Sequence, residues 1–307
     1  MDKLSAMRAF VRVVESGTFT KAAESLGTPK AQVTRLIQSL EEDLKTLLLN
    51  RTTRRVVPTA DGAVYYESAA RVLDDIEALE SNLSTAKVHP HGRLRIDVSP
   101  PVANEIIIPS LEDFCAKYPD IRIEIGVGER PVDLVSESVD CVVRAGVVSD
   151  PSLVARRLGE VRRMLCASPV YLKRCGTPRH PSELEDEPHR VINYFTYGGS
   201  RLALTLQRDG EQYELHPRST IAVNESSAMA AAGLAGLGII RSNAVVAGPY
   251  LASGRLRVVL PEWDAGALPL FLVYPPNRHV SAKLRVFIDW FADVCAKSLA
   301  ASMSRPA

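Results

Sequence analysis

Apolar residues recur at three- and four-residue steps along the start of the chain. Leu4, Met7, Phe10, Val11 and Val14 predict a first helix with one apolar stripe. Gly17 is placed to end it and Thr18 to cap a second helix, roughly Phe19 to Leu26, where Ala22 and Ala23 let a neighbour approach closely. Gly27 closes that helix, and Thr28-Pro29 reads as an N-cap followed by proline at the first position of a third. Val33, Ile37, Leu40 and Leu44 give the third helix its buried face. Leu48-Leu49 and Val56-Val57 then predict two short strands flanking the basic stretch Asn50-Arg51-Thr52-Thr53-Arg54-Arg55.

From Thr59 the pattern is helical again. Thr59 is placed to cap, and Asp61 suits the positive end of the helix. Tyr66, Ala69, Leu73, Ile76 and Leu83 keep a three-four spacing to about residue 86. Such a stripe pairs with a second copy or packs on its own domain. The polar Pro/Gly segment Lys87-Val88-His89-Pro90-His91-Gly92 follows, so the helix lies between domains and dimerisation is the better reading. From Arg93 onward, apolar strand-like runs at 94–98, 121–127, 141–146, 189–195, 219–224, 237–242, 256–260 and 268–274 alternate with helical stretches at 102–117, 131–138, 225–235, 243–252 and 281–300. That alternation predicts open, mostly parallel α/β sheets, and its length suits two lobes with two crossings. The boundaries expected are 1–58, 59–88 and 89–307, the last with lobe I at about 93–162 and 267–300 and lobe II at about 163–266.

Composition narrows the class. With 46 % hydrophobic and 24 % charged residues, the 307-residue chain suits two or three globular domains. No run of 18 apolar residues appears and no export signal is recognised, so a cytoplasmic protein without membrane association is expected. Cys115, Cys141, Cys166, Cys175 and Cys295 are odd in number and widely spaced, which suits reduced buried thiols, with a redox sensor as the alternative. Net charge is only +1, but residues 1–62 hold ten basic against seven acidic side chains, clustered at 30–35 and 51–55. A local basic patch on a near-neutral chain fits a regulator better than a nucleic-acid coat.

The chemistry of that patch is specific. Lys30, Gln32, Thr34, Arg35 and Gln38 fall off the apolar stripe of the third helix, at the N-terminal half where a recognition helix meets base edges. Arg35 suits guanine, Gln32 or Gln38 adenine, and Thr34 a thymine methyl or a phosphate. Arg51, Thr53, Arg54 and Arg55 on the hairpin suit phosphate and minor-groove contact. The order helix, helix, recognition helix, basic hairpin is that of a winged helix-turn-helix.

These residues resemble the LysR-type transcriptional regulators, through FTKAAESLG, VTRLIQSLEEDL and LLNRTTRRVVPTADG in the first ~60 residues. IIIPSLEDFCAKYPDI, VDCVVRAG, CASPVYLKRCGTP and VNESSAMAAAGLAGLGII carry the resemblance through the rest. It implies an α+β multidomain chain: a winged helix-turn-helix, a long linker helix that makes a dimer contact, and a two-lobed α/β domain like periplasmic binding proteins. It implies double-stranded promoter DNA, a small effector and a homodimer or homotetramer as partners, with RNA polymerase if the chain activates. Departures are Pro29 where the family usually has serine, residues 45–47, the double proline at 100–101, and Arg241-Ser242-Asn243 after the GLGI strand.

In open α/β sheets ligands gather at the C-terminal ends of strands, near helix N-termini. That rule selects Ser99, Pro100, Pro101, Val102, Gly128, Arg144, Phe195, Asn224, Glu225 and Ser226. Helix amides with Ser99 or Ser226 suit a carboxylate, which many effectors of the resembled family carry. Arg144 either adds charge or forms an inter-strand ion pair. No catalytic constellation, cofactor or metal site is expected. Gly233-x-x-Gly236-x-Gly238 follows a helix instead of opening one, and histidines 89, 91, 180, 189, 216 and 279 lack zinc spacing.

Overall fold

The computed structural model describes residues 2–51, 56–83, 89–148, 150–200, 203–217, 219–276 and 280–303. The chain forms two compact units, Met1–His89 with Asn277–Ala282, and Pro90–Pro276 with Lys283–Ala307.

In the first unit, helices α1 (Lys3–Ser16), α2 (Phe19–Leu26) and α3 (Lys30–Leu44) precede the strands β1 (Leu49–Arg51) and β2 (Val56–Pro58), and helix α4 (Ala60–Leu83) follows. Ala6, Ala9, Phe10 and Val13 of α1 are fully buried against Ala22 of α2 and Val33, Ile37 and Leu40 of α3. Gly17 and Gly27 take left-handed backbone at the ends of α1 and α2, and the Thr18 hydroxyl accepts from the Lys21 amide at 3.2 Å. Thr28 is not the cap that its sequence position suggests. Its amide is spent on the Ala23 carbonyl at the end of α2, its buried hydroxyl has no partner among the described residues, and α3 starts at Lys30 with Pro29 as N-cap.

Helix α4 begins on the cap foreseen at Thr59, whose hydroxyl accepts from the Gly62 amide at 2.9 Å. Ala69 and Leu73 are buried in the same core, and Phe10 meets Tyr65 edge-on at 5.5 Å. The first half of the α4 stripe therefore packs on its own unit; Ile76, beyond it, is half-buried.

In the second unit, β3 (Gly92–Val98) leads into the short helix α5 (Pro100–Val102), a π-turn at Ala103–Ile107 and α6 (Ile108–Lys117). Next come β4 (Ile121–Val127), β5 (Cys141–Ala145), β6 (Val154–Ala167), α7 (Pro169–Cys175), β7 (Val191–Tyr194), the hairpin β8 (Leu204–Arg208) and β9 (Glu211–Leu215), and β10 (Ala222–Val223). The chain continues through α8 (Ser226–Leu234), β11 (Ile239–Asn243), α9 (Ala244–Ala252), β12 (Arg257–Val259), β13 (Ala267–Tyr274) and α10 (Ala282–Met303).

Strands β4, β3 and β5 are parallel, and β13 runs antiparallel to β5 and β6. Strands β10, β7 and β11 are parallel, and β11 is antiparallel to β6. Strand β6 serves both lobes. Its partner is β13 up to Arg162 and β11 from Arg163. The second crossing runs beside it, with the Arg163 amide on the Gly266 carbonyl at 2.8 Å. Lobe I has its own core, in which Phe114 of α6 meets Phe287 and Trp290 of α10 at 5.8 and 4.9 Å. Lobe II is filled by Leu165, Tyr171, Leu206, Ile239 and Trp263.

The sheets are mixed and not mostly parallel as expected, because β6, β12 and β13 run against their neighbours, and two further points differ from the sequence reading. Residues 131–138 form turns rather than a helix: Asp133 accepts from the amides of Val135 and Ser136, and Ser138 takes positive φ. Strand β6 was not foreseen, and it is the longest strand of the fold.

Candidate DNA interface and effector cleft

The candidate recognition face of α3 is built by the burial of its opposite side. Val33, Ile37 and Leu40 anchor α3, and Lys30, Gln32, Arg35 and Gln38 are exposed. Thr34 is half-buried, and its hydroxyl donates to the Lys30 carbonyl one turn back at 3.0 Å. That leaves the methyl, not the hydroxyl, as the outward chemistry of Thr34. At its other end α3 holds the wing. The buried Glu41 carboxylate accepts from the backbone amides of Leu48 at 2.9 Å and Leu49 at 3.1 Å. The β2 end of the wing is tied back by the Val56 amide on the Gly17 carbonyl. Arg51 lies in β1; Thr53, Arg54 and Arg55 lie outside the described residues.

The effector candidates converge on a cleft of about 810 Å³ between the two lobes. Ser99, Pro101, Val102, Arg144, Asn224, Glu225 and Ser226 line it; Pro100, Gly128 and Phe195 do not. Its walls include the apolar side chains of Val102, Ile106, Val161, Met229, Val245 and Leu268.

The electrostatics differ from the expected carboxylate cradle. Helix α8 has already spent its N-terminal amides: Glu225 accepts from Ser227 at 2.6 Å and Ala228 at 2.8 Å. Asn243 does the same for α9 through Val245 and Val246. At α5 the N-cap is Ser99, which makes no side-chain capping bond, and the next two residues are prolines without an N–H to offer. Arg144 pairs with Asp97 of β3, so the ion-pair alternative is the one observed. Gly126 makes room for that pair, because a Cβ there would lie 2.4 Å from the Asp97 carboxylate. Arg130 pairs with Glu137 and holds its carboxyl down at about 2.

Two cleft arginines were missed. Arg163, where β6 changes partner, and Arg241, on β11, form no ion pair among the described residues. The Arg163 Nε is buried without a hydrogen-bond partner. Burial lowers the Arg163 guanidinium, against a pull from Asp264. Burial, with the charge of Arg163 beside it, takes Arg241 down to about 10. Arg241 keeps one bond, to the Ala203 carbonyl at 2.8 Å. The only sequence signal for either was the departure at Arg241-Ser242-Asn243; nothing in the alternation around Arg163 marked it.

Across the cleft mouth, the Ser226 hydroxyl donates to Glu129 at 2.8 Å, joining lobe II to lobe I. Burial raises the Glu129 carboxyl above its usual range; the Ser226 bond and Arg144 oppose that, and Glu225 adds to it. A carboxyl raised in the folded state contributes stability below its unfolded pKa and loses it as pH rises through the folded value. Glu129→Gln is therefore expected to raise Tm at neutral pH, with the gain vanishing on acidification. A gain that is flat across that window would show the carboxyl to be ionised throughout.

Burial also pushes the Cys166 thiol up to about 12 and the Cys295 thiol to about 11, and raises Cys141 well above the ordinary thiol value. These three are packing residues with little thiolate at neutral pH. Cys115 is exposed. Among the described residues no His/Cys/Asp/Glu group is arranged to hold a metal ion, and no helix is long and apolar enough to cross a membrane.

Comparison with known proteins places both parts. A family model described as a bacterial regulatory helix-turn-helix protein, lysR family, matches residues 4–63, and the LysR substrate binding domain model matches residues 87–296. An uncharacterized HTH-type transcriptional regulator, YhjC, of Escherichia coli (strain K12) is 37 % identical over 97 % of this chain and 100 % of its own length. The structure of CrgA, a LysR-type transcriptional regulator from Neisseria meningitidis, is similar with a TM-score of 0.60 and 32 % identity, covering 95 % of this chain and 98 % of that one. The full-length Vibrio cholerae virulence activator AphB is similar with a TM-score of 0.58 and 30 % identity, over 94 % and 98 % of the two chains. On the matches to both domains and over nearly its whole length, this chain belongs to the LysR family of HTH-type transcriptional regulators.

Proposed function

We propose that the chain reads promoter DNA as a homodimer or homotetramer and responds to a small effector bound between the lobes of its second unit. The α3 face supports base reading most directly: Lys30, Gln32, Arg35 and Gln38 are exposed between residues 30 and 38 while its other face is anchored in the core. Arg51, Thr53, Arg54 and Arg55 on the wing supply backbone grip. The half of α4 beyond Leu73 is the candidate for contact with a second copy, which would set two recognition helices at the spacing of two half-sites. The cleft of about 810 Å³ is of the size that encloses a small organic molecule. Effector occupancy and DNA affinity are then coupled, each changing the other by the same factor. If the chain activates, RNA polymerase is the further partner.

A gel-shift titration of the full chain against DNA upstream of its own and neighbouring genes tests this reading. No salt-sensitive, sequence-dependent shift would sink it. The roles within the interface are separable. Arg35→Ala should weaken binding by roughly 1–3 kcal/mol and relax preference at one base position, whereas Arg54→Ala should weaken binding to all sequences and flatten the salt slope. Equal losses from both variants on matched and mismatched sites would refute the division.

A further inference from the structure

We propose that Arg163 and Arg241 are the residues that read the effector's charge, so that the chain senses a small organic acid whose anionic group sits at the hinge floor of the cleft and whose apolar body lies along the walls. The inference rests on the cleft being the effector site, as proposed above.

The argument begins from the other candidates for holding an anion. The N-terminus of α8 is closed by Glu225 and that of α9 by Asn243, and α5 opens with two prolines. Arg144 and Arg130 are neutralised by Asp97 and Glu137. Arg163 and Arg241 are what remains. They lie on neighbouring antiparallel strands, Arg163 opposite Asn243 and Arg241 opposite Leu165, so both side chains leave the same face of the sheet. Diagonal neighbours of that kind are within reach of long side chains, and each acts on one cleft.

Holding two guanidiniums together, half-buried and without a carboxylate between them, costs the fold free energy. Both are depressed by burial, and Arg163 depresses Arg241 further. The orphaned Arg163 Nε adds the cost of a buried donor without an acceptor. A bound carboxylate offsets the burial of charge and the repulsion between the two cations, since its two oxygens accept from planar guanidinium groups. A neutral amide of the same shape offers one acceptor oxygen and no charge, and a cation meets repulsion. The wall of Val161, Val245 and Leu268 gives the cleft an apolar side, which suits an apolar part of the ligand. Arg163 also sits where β6 passes between the lobes, so an anion there contacts the hinge itself.

The test uses the full chain and two matched pairs of probes, phenylacetate with phenylacetamide and hexanoate with hexanamide, at equal ionic strength. Thermal shift and calorimetric titration should show stabilisation by the acid of at least one pair and little by its amide. Arg241→Gln should weaken that acid by about ten- to hundred-fold, the usual worth of a charge-assisted contact. Arg163→Lys should weaken it less, because the charge stays and the fork is lost. No preference for acid over amide in either pair, or an Arg241→Gln protein with the wild-type Kd, overturns the assignment. The gel shift separates the two levels. If the chain still shifts DNA and the shift responds to an amide alone, only the arginine assignment fails. If no DNA is shifted, the proposed function fails with it.

Discussion

Gly62→Ala is expected to break the junction of wing and α4 and to abolish DNA binding. A Cβ at residue 62 would lie 1.9 Å from the carbonyl oxygen of Leu48, 2.8 Å from its carbonyl carbon and 3.1 Å from its Cα. All three are backbone atoms, so no rotamer change relieves the clash. The neighbourhood is also fully engaged. The Leu48 carbonyl accepts from the Thr59 amide at 2.9 Å, the Thr59 hydroxyl donates to the Leu47 carbonyl at 2.7 Å, and the Leu48 side chain is buried. Moving the first turn of α4 outward would break the Thr59 contacts and pull Ala69 and Leu73 from the core they share with α1. A loss of more than about 3 kcal/mol belongs to overpacking at a site that cannot relax. Denaturation followed by hydrogen exchange should show the loss in α1 to α4, with β3 to β13 unchanged. An alanine variant with wild-type Tm and gel shift would refute the close approach.

That glycine illustrates what a single sequence reveals of this fold. The Thr59-Ala60-Asp61-Gly62 run was readable as a helix start, because capping is local chemistry. The need for glycine at its third helical position was not, because it arises from a carbonyl fourteen residues earlier. The same division holds elsewhere. Helices α1 to α3 follow a 3.6-residue apolar period and bury one face, so their order and faces were legible. Strand β6 is VARRLGEVRRMLCA, with arginine at four of its fourteen positions. Its first half is largely exposed and its second half buried, so it shows neither clean alternation nor a continuous apolar run. A strand that leaves one lobe to serve another has no single inner face to advertise.

The cleft was partly legible for a related reason. The rule that ligands gather beyond the C-terminal ends of strands selected Ser99, Arg144, Asn224 and Ser226, all of which line it. The rule locates residues but not their electrostatic condition. Arg144 and Arg163 look alike in sequence. One is neutralised by Asp97, across from a glycine that admits the pair, and the other faces the cavity with a buried donor unmatched. Which carboxylate finds which arginine is decided by the register of β3, β4 and β5, and that register exists only once the chain is folded. The double proline could be read directly: whatever its context, it removes two donors from the helix start that the fold would otherwise offer an anion.

Glu41→Ala is expected to cost the first unit about 3 kcal/mol or more and to release the wing. Glu41 lies near the end of α3 with only 7 % of its surface exposed, an unusual place for a carboxylate. One oxygen, Oε1, accepts from both the Leu48 and the Leu49 amide. These amides belong to residues whose side chains fill the core, 1 % and 3 % exposed, so water has poor access to replace the carboxylate. Each buried amide left unmatched costs about 1–3 kcal/mol, and the two losses fall on the same turn. That turn is where Lys45, in left-handed backbone, ends α3 and sends the chain into β1. The wing then loses its fixed position relative to the recognition face, so affinity for every DNA sequence should fall together, without a change in base preference. Glu41→Gln separates the hydrogen bonds from the charge. Its amide oxygen can occupy the place of Oε1 and keep both bonds, so most of the stability and DNA binding should return. Equal destabilisation by alanine and glutamine would instead assign the role of Glu41 to its charge, and no destabilisation by alanine would remove the α3–wing bond from the account of the DNA interface.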